Sequence, residues 1–352
     1  MKPSRWIHSG AVLCGLPALV TGLTCSSQGQ AIISNGTIKL GVDSLGQLNI
    51  PGGIASVGGT SVVGLRYLSG GMEFESTSPG CLCEGWGVAD LLTATSGYAN
   101  NSAGIGGLTP VSFSSTATTA TSVVKVGLTY EVTHEYKPSS ETPNLYEVNV
   151  SIKNISSDPT HVVYRRVMDW DIDPTDFSEY VTIAGAPTTS ALIGASDQGF
   201  ASADPLTGPA SLLKPYGKFD FTDSGPADHG ALFDFDFGML AAGDIYSFRT
   251  FYGAAGTETD ALLALGEVSA ELYSFGQSST AGGPTLGTPA TFIFAFEGVG
   301  GTILVPDPTP PNPGGGGGGS TTPVPEASTM VSATLLAGLA GFRIFRSRRL
   351  SA

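Results

Sequence analysis

Polar and apolar residues alternate along much of the middle of this chain. Tyr146, Val148, Val150 and Ile152 are interleaved with Glu147, Asn149, Ser151 and Lys153. A period of two places the apolar set on one side of an extended segment, so the pattern predicts a half-buried β-strand. It recurs where Phe233, Phe235 and Phe237 flank Asp234 and Asp236, over 245–252, and over 291–297, where Phe292, Phe294 and Phe296 share a face. Residues 123–136 read as one long strand, followed by the turn-forming Glu141-Thr142-Pro143-Asn144. Ser156-Ser157-Asp158-Pro159 then turns the chain into a strand over 161–172, with Val162, Tyr164, Met168 and Trp170 on one face. These three runs predict an antiparallel meander. The Gly-rich region 33–107 has shorter signals, at 36–40 and 61–67, and predicts edge strands and loops.

One segment departs from the period of two. Between 258 and 274, Ala261, Leu265, Val268 and Leu272 fall on one face of a helix. Thr257 is placed to cap its start, with Asp260 three residues on, and Gly276 to stop it. Together these patterns predict a mainly β protein, an antiparallel β-sandwich with one packed helix.

The two ends read differently. Residues 1–31 have the order of a secretory signal peptide: Lys2 and Arg5, an apolar stretch over 11–23, then Gly29-Gln30-Ala31 offering small residues for cleavage. Cys25 raises a lipoprotein alternative, but Gly22-Leu23-Thr24 before it is a poor lipidation sequence. Residues 306–323 are rich in Pro and contain six consecutive glycines, Gly314 to Gly319, a composition that forms a linker and no core. Residues 324–352 then carry Val324-Pro325-Glu326-Ala327-Ser328, an apolar run, and the basic cluster Arg343, Arg346, Arg348 and Arg349. The apolar helix expected there is about 18 residues long, short of the roughly 20 a bilayer span asks for. Its basic end would stay cytoplasmic, leaving the body, residues 32–305, outside the inner membrane.

This C-terminal order resembles the PEP-CTERM sorting signal of exosortase substrates, with Ala327 where that family most often has Pro. The resemblance implies an exosortase-type membrane protease as partner and transient inner-membrane insertion. It also implies removal of the helix, and delivery to the cell surface or extracellular matrix of a bacterium that makes exopolysaccharide. An ordinary membrane anchor is the plainer alternative. Within the body, residues 131–136, 144–154 and 164–171 are similar to the long antiparallel strands of mutarotase-like supersandwich domains. Those domains occur in carbohydrate-active proteins, but a likeness of fold carries no function by itself.

Charge narrows the partners. The body holds ten Lys and Arg against 28 Asp and Glu, eighteen net negative charges. That argues against nucleic acid and anionic membrane surfaces as ligands, and suits solubility or cation binding. Cys81 and Cys83, the two cysteines of the body, are one residue apart. In an oxidising compartment they form a local disulfide or serve as two small core residues in a turn; a zinc site would want about four ligands.

The densest candidate chemistry is Asp169-Trp170-Asp171-Ile172-Asp173. On a strand the three carboxylates point one way, about 7 Å apart, and repel unless a cation or basic side chain neutralises them. Calcium fits such a set of hard oxygen ligands. The segment resembles the start of an EF-hand loop but departs from it at Pro174 and Tyr180. A solvated strand end with an Arg165–Asp169 pair is the bland alternative. Asp176 and Glu179 complete the acids a glycosidase reading would consider, since that chemistry needs two carboxylates across a cleft. Asp234 and Asp236 read as the wet face of a strand, and His134, His161 and His229 as strand or surface residues. Trp86, between Gly85 and Gly87, and Tyr98 are candidates for stacking on a sugar ring, or for plugging the core. No Gly-x-Ser-x-Gly elbow, His-Glu-x-x-His helix or phosphate loop occurs. The expectation is an exported, surface-sorted, non-enzymatic β-sandwich protein of the exopolysaccharide matrix or cell envelope. A carbohydrate-binding module, or a carbohydrate-active enzyme of mutarotase-like fold, is the alternative.

Overall fold

The computed structural model describes residues 29–279 and 287–304. The expected linker and sorting segment, and the expected signal peptide up to residue 28, lie outside the described residues. The chain begins with β1 (Gln30–Ser34), β2 (Ile38–Asp43), β3 (Leu65–Ser69) and β4 (Met72–Glu75), which pair in that order as a small sheet. Next come β5 (Gly85–Asp90), β6 (Thr95–Asn100), β7 (Gly104–Gly106), β8 (Leu108–Ser115), β9 (Ala120–Val126), β10 (Tyr130–Pro138) and β11 (Leu145–Asn154). They are followed by β12 (Thr160–Trp170), β13 (Glu179–Ala184), β14 (Leu192–Ser196), β15 (Phe221–Ala227) and β16 (His229–Leu240). The last elements are β17 (Ile245–Ala255), α1 (Glu258–Glu267), β18 (Leu272–Ser278) and β19 (Thr291–Glu297).

Two larger antiparallel sheets make the sandwich. The nine-stranded sheet runs β15-β13-β18-β19-β17-β11-β10-β9-β8, and the six-stranded sheet runs β14-β16-β12-β5-β6-β7. Their facing sides share one apolar core, to which the small sheet adds Ile33, Ile38, Leu40 and Leu65. Aromatic rings lock the two sheets together: Phe233 of β16 lies 5.0 Å from Phe296 of β19, and Tyr164 of β12 lies 5.1 Å from Phe248 of β17. The edge-on geometry of both pairs is the one ring quadrupoles favour.

The outer faces are covered too. Thr257 Oγ1 accepts from the N–H of Asp260, so the helix starts at its predicted cap. Its Ala261, Ala264, Leu265 and Val268 pack on Phe251, Phe275, Ile293 and Ala295, the outward side chains of the nine-stranded sheet. Over the six-stranded sheet, Ala201, Ala203, Ala210 and Tyr216 of the segment between β14 and β15 close on Val167 and Leu232. β12 is thereby buried on both faces from Val162 to Trp170.

Four expectations need correction. The run 123–136 is a hairpin, β9 and β10 in register Tyr130 with Val126. It turns at Gly127, whose φ of +53° suits glycine. The predicted meander stops at β11, because β12 crosses to the other sheet and pairs with β16 and β5. The region 33–107 supplies more than edges: β5 sits inside the six-stranded sheet and is buried at every position. The helix ends at Glu267. Leu272, Ser274 and Gly276 instead lie in β18, between β13 and β19, where Leu272 and Phe275 are fully buried.

Candidate functional site

The site forms where β12 ends. Asp169 is the next-to-last residue of the strand and pairs in register with Gly230 of β16. Beyond Trp170 the chain stays extended, because the N–H of Asp171 donates to Ser76 O at 2.8 Å and that of Asp173 to Glu75 O at 3.0 Å. Asp169 and Asp171 therefore keep the alternate-residue spacing of a strand. The adjoining β16 begins at His229, which brings Asp228 alongside. One carboxylate oxygen from each of Asp169, Asp171 and Asp228 lies within 4.8 Å of the others. Asp169 and Asp171 are buried; Asp228 is exposed.

Glu179, the first residue of β13, stands behind them, buried. Its Oε1 accepts the N–H of Ile172 at 3.2 Å, and its backbone oxygen faces His229 Nε2 at 3.1 Å. The other imidazole nitrogen lies 3.2 Å from Asp197 Oδ2. Gly199 packs directly against Asp169, since a Cβ there would come within 2.8 Å of Asp169 Cα and 2.9 Å of its Oδ1.

The electrostatics follow from burial and crowding of like charge. Burial, reinforced by Asp228, pushes Asp169 up to about 8. Burial and then the neighbouring Asp169, Glu179, Asp228 and Asp176 push Asp171 up to about 10. Burial pushes Glu179 up to about 9 against the N–H donors that hold it down. Neither oxygen of Asp169 or Asp171, nor Glu179 Oε2, meets a hydrogen-bond donor among the described residues.

The other predicted residues are placed as follows. Asp173 is separated from the cluster: its Oδ2 accepts the N–H of Glu75 at 2.9 Å, which ties it to the small sheet. Arg165 does not pair with Asp169. It grips Asp234, the residue opposite it on β16, through Nε at 2.6 Å and a second guanidinium nitrogen at 2.8 Å. Asp234 is thus buried and not on a wet face, whereas the more exposed Asp236 contacts His161 at 2.7 Å. Trp86 is no sugar platform. It is fully buried, its Nε1–H donates to Leu45 O at 2.9 Å, and its ring lies 4.5 Å from that of His134. Tyr98 is half-buried in the cluster under the covering segment. His134 is also fully buried, and desolvation holds its imidazole well below the ordinary range. Cys81 and Cys83 are joined as a disulfide, Cα atoms 5.1 Å apart.

Sequence reading missed two groups. Asp228 joins the cluster only through the β12–β16 pairing, and no local pattern marks it. Glu84 and Arg166 form an ion pair inside the sandwich, both fully buried. Glu84 also accepts from Tyr252 Oη at 2.6 Å and from the N–H of Leu48 at 2.7 Å. Arg166, falling on the same predicted face as Val162, Tyr164, Met168 and Trp170, was the available signal, since a charged residue is buried only when paired.

Two clefts lie elsewhere. One of about 320 Å³ is lined in part by Tyr67, Asn144, Asp260 and Glu267, and one of about 170 Å³ by Tyr164, Tyr216 and Asp234. Neither includes the Asp169 cluster or Trp86. No helix of the described residues is long and apolar enough to cross a membrane. No protein-family model matches the chain, and no curated protein is detectably similar to it.

Proposed function

We propose that this chain is an exported, surface-sorted, non-enzymatic β-sandwich protein that resides in the cell envelope or the exopolysaccharide matrix. The observation that carries the reading is the order Val324-Pro325-Glu326-Ala327-Ser328, apolar run, Arg343, Arg346, Arg348 and Arg349, placed beyond a Pro/Gly linker. The body suits a structural role. Buried Glu75, Glu84 and Asp234 are each held by a buried arginine, Arg66, Arg166 and Arg165, so these acids tie segments of the body together. Its acidic balance keeps it soluble among polysaccharide chains and repels nucleic acid.

An epitope tag in the linker of the full chain, expressed in a host with and without an exosortase-type protease, tests the reading. The expected result is a shortened, surface-exposed product when the protease is present. A longer, membrane-retained product is expected when it is absent or when Pro325 and Glu326 are replaced by alanine. Identical products in all three cases would refute the sorting. Turnover of any polysaccharide that vanishes in Asp171→Asn would refute the non-enzymatic part.

A further inference from the structure

The cluster at the end of β12 presents an electrostatic problem that the described chain does not solve. Asp169 and Asp171 are 1 % and 0 % exposed, and four carboxylate oxygens between them have no donor among the described residues. Transferring an ionised carboxylate out of water costs several kcal/mol unless it is paired or bound to a cation. At Glu75, Glu84 and Asp234 the pairing is supplied by a buried arginine. Here the charged groups acting on Asp171 are all acids: Asp169, Glu179, Asp228 and Asp176.

A second observation comes from outside the three-residue cluster. Glu179 is anchored through Oε1 to the N–H of Ile172, while its Oε2 is buried with no donor. It comes from a different strand, and its contacts with the Ile172 N–H and with His229 Nε2, the chain neighbours of Asp171 and Asp228, set it beside the same space. A carboxylate held by one oxygen with the other left bare is arranged as a ligand.

We propose that Asp169, Asp171 and Asp228 bind one calcium ion, with Glu179 as a fourth carboxylate beside it. Calcium–oxygen distances of about 2.3–2.6 Å put ligands on a sphere about 5 Å across. The 4.8 Å limit on the spread of the three oxygens fits that span. Magnesium keeps several waters and usually takes only one or two carboxylates, so the convergence of three favours calcium. Exposed Asp228 is the side of entry, and water completes the shell there. The ligands come from the end of β12, the start of β16 and the start of β13, so the ion ties the six-stranded sheet to an outer strand pair of the nine-stranded sheet. Asp173 is outside the set, because its carboxylate serves the Glu75 backbone. The site does not depend on whether the protein is sorted to the surface.

The test uses the full chain, stripped with chelator and then titrated with CaCl2, MgCl2 or MnCl2, following heat of binding and melting temperature. We expect one calcium per chain and a rise in Tm of about 5 °C or more at saturation. Asp228→Asn, at an exposed position that leaves folding intact, should weaken calcium binding tenfold or more. Asp236→Asn, an exposed acid of the same sheet, should bind as the parent does. The proposal falls if no cation gives heat or a Tm shift, or if Asp228→Asn binds calcium like the parent. Tighter binding of magnesium or manganese than of calcium overturns the assignment to calcium. An equal response from Asp236→Asn and Asp228→Asn shows only diffuse attraction to an acidic surface and also overturns it.

Discussion

Arg166 and Asp169 stand three residues apart on β12, on opposite faces of the strand, and both are buried. Arg166 points into the sandwich, where Glu84 meets it, Tyr252 and Leu48 satisfy the remaining carboxylate positions, and the Tyr252 and Phe294 rings lie 5.3 and 5.7 Å from the guanidinium. Burial pushes Glu84 up, while Arg166 and the Leu48 N–H pull it back. Asp169 points the other way, toward acids and no base. The first centre closes its own charge within the fold; the second leaves its charge open to something from solution. Burial alone therefore does not distinguish a structural acid from a ligand. What distinguishes them is whether the lone pairs are already used.

Breaking the closed centre should have the largest effect. Arg166→Met leaves Glu84 buried without its cation and should cost about 3–5 kcal/mol in urea unfolding. The double change Arg166→Met with Glu84→Gln should recover part of that loss, and strict additivity of the two would show that the pair is not coupled.

His134, whose ring packs on Trp86 and near Tyr136 with Arg166 as the charge acting on it, sharpens the comparison through pH. Its folded-state pKa is depressed, so the unfolded chain binds the extra proton below about 6.5. Stability from this residue is complete above about 6.5 and falls as pH drops. Between pH 7 and pH 5 the loss should be about 2 kcal/mol. His134→Gln should lack it, and equal pH slopes for the two proteins would contradict the assignment.

The open centre should respond with the opposite sign. In chelator-treated protein at pH 7, Asp171→Asn removes a buried acid that must be protonated to fold and should raise stability by about 1–2 kcal/mol. A loss of stability there would mean that Asp171 makes contacts of its own. The smallest effect is expected at the half-exposed His161–Asp236 contact, where Asp236→Asn should change stability by less than about 0.5 kcal/mol by thermal melting.

Much of the architecture was legible. Alternation identified β11, β16, β17 and β19, because in each the predicted apolar set faces the sandwich core. It misled in β12, where Val163, Arg165 and Val167 are as buried as their neighbours, since a covering segment about 35–50 residues downstream lies over them. The 123–136 run was read as one strand, although Gly127 offered a turn within it. Leu272 satisfied a helical spacing and a strand spacing equally, and its sheet partners settled the matter.

The site divides the same way. That Asp169 and Asp171 share a side, and that three neighbouring acids require neutralising, follows from the local spacing of a strand, a short-range property any chain carries in its sequence. That Asp228 and Glu179 complete the group while Asp173 leaves it was decided only by the tertiary structure. Strand register brings together residues far apart in the chain, and the small sheet competes for Asp173 with a backbone N–H. Trp86 and Arg166 make the same point. Both residue types are plain in the sequence, but whether each faces water or the core depends on which sheet its strand joins and what lies over it.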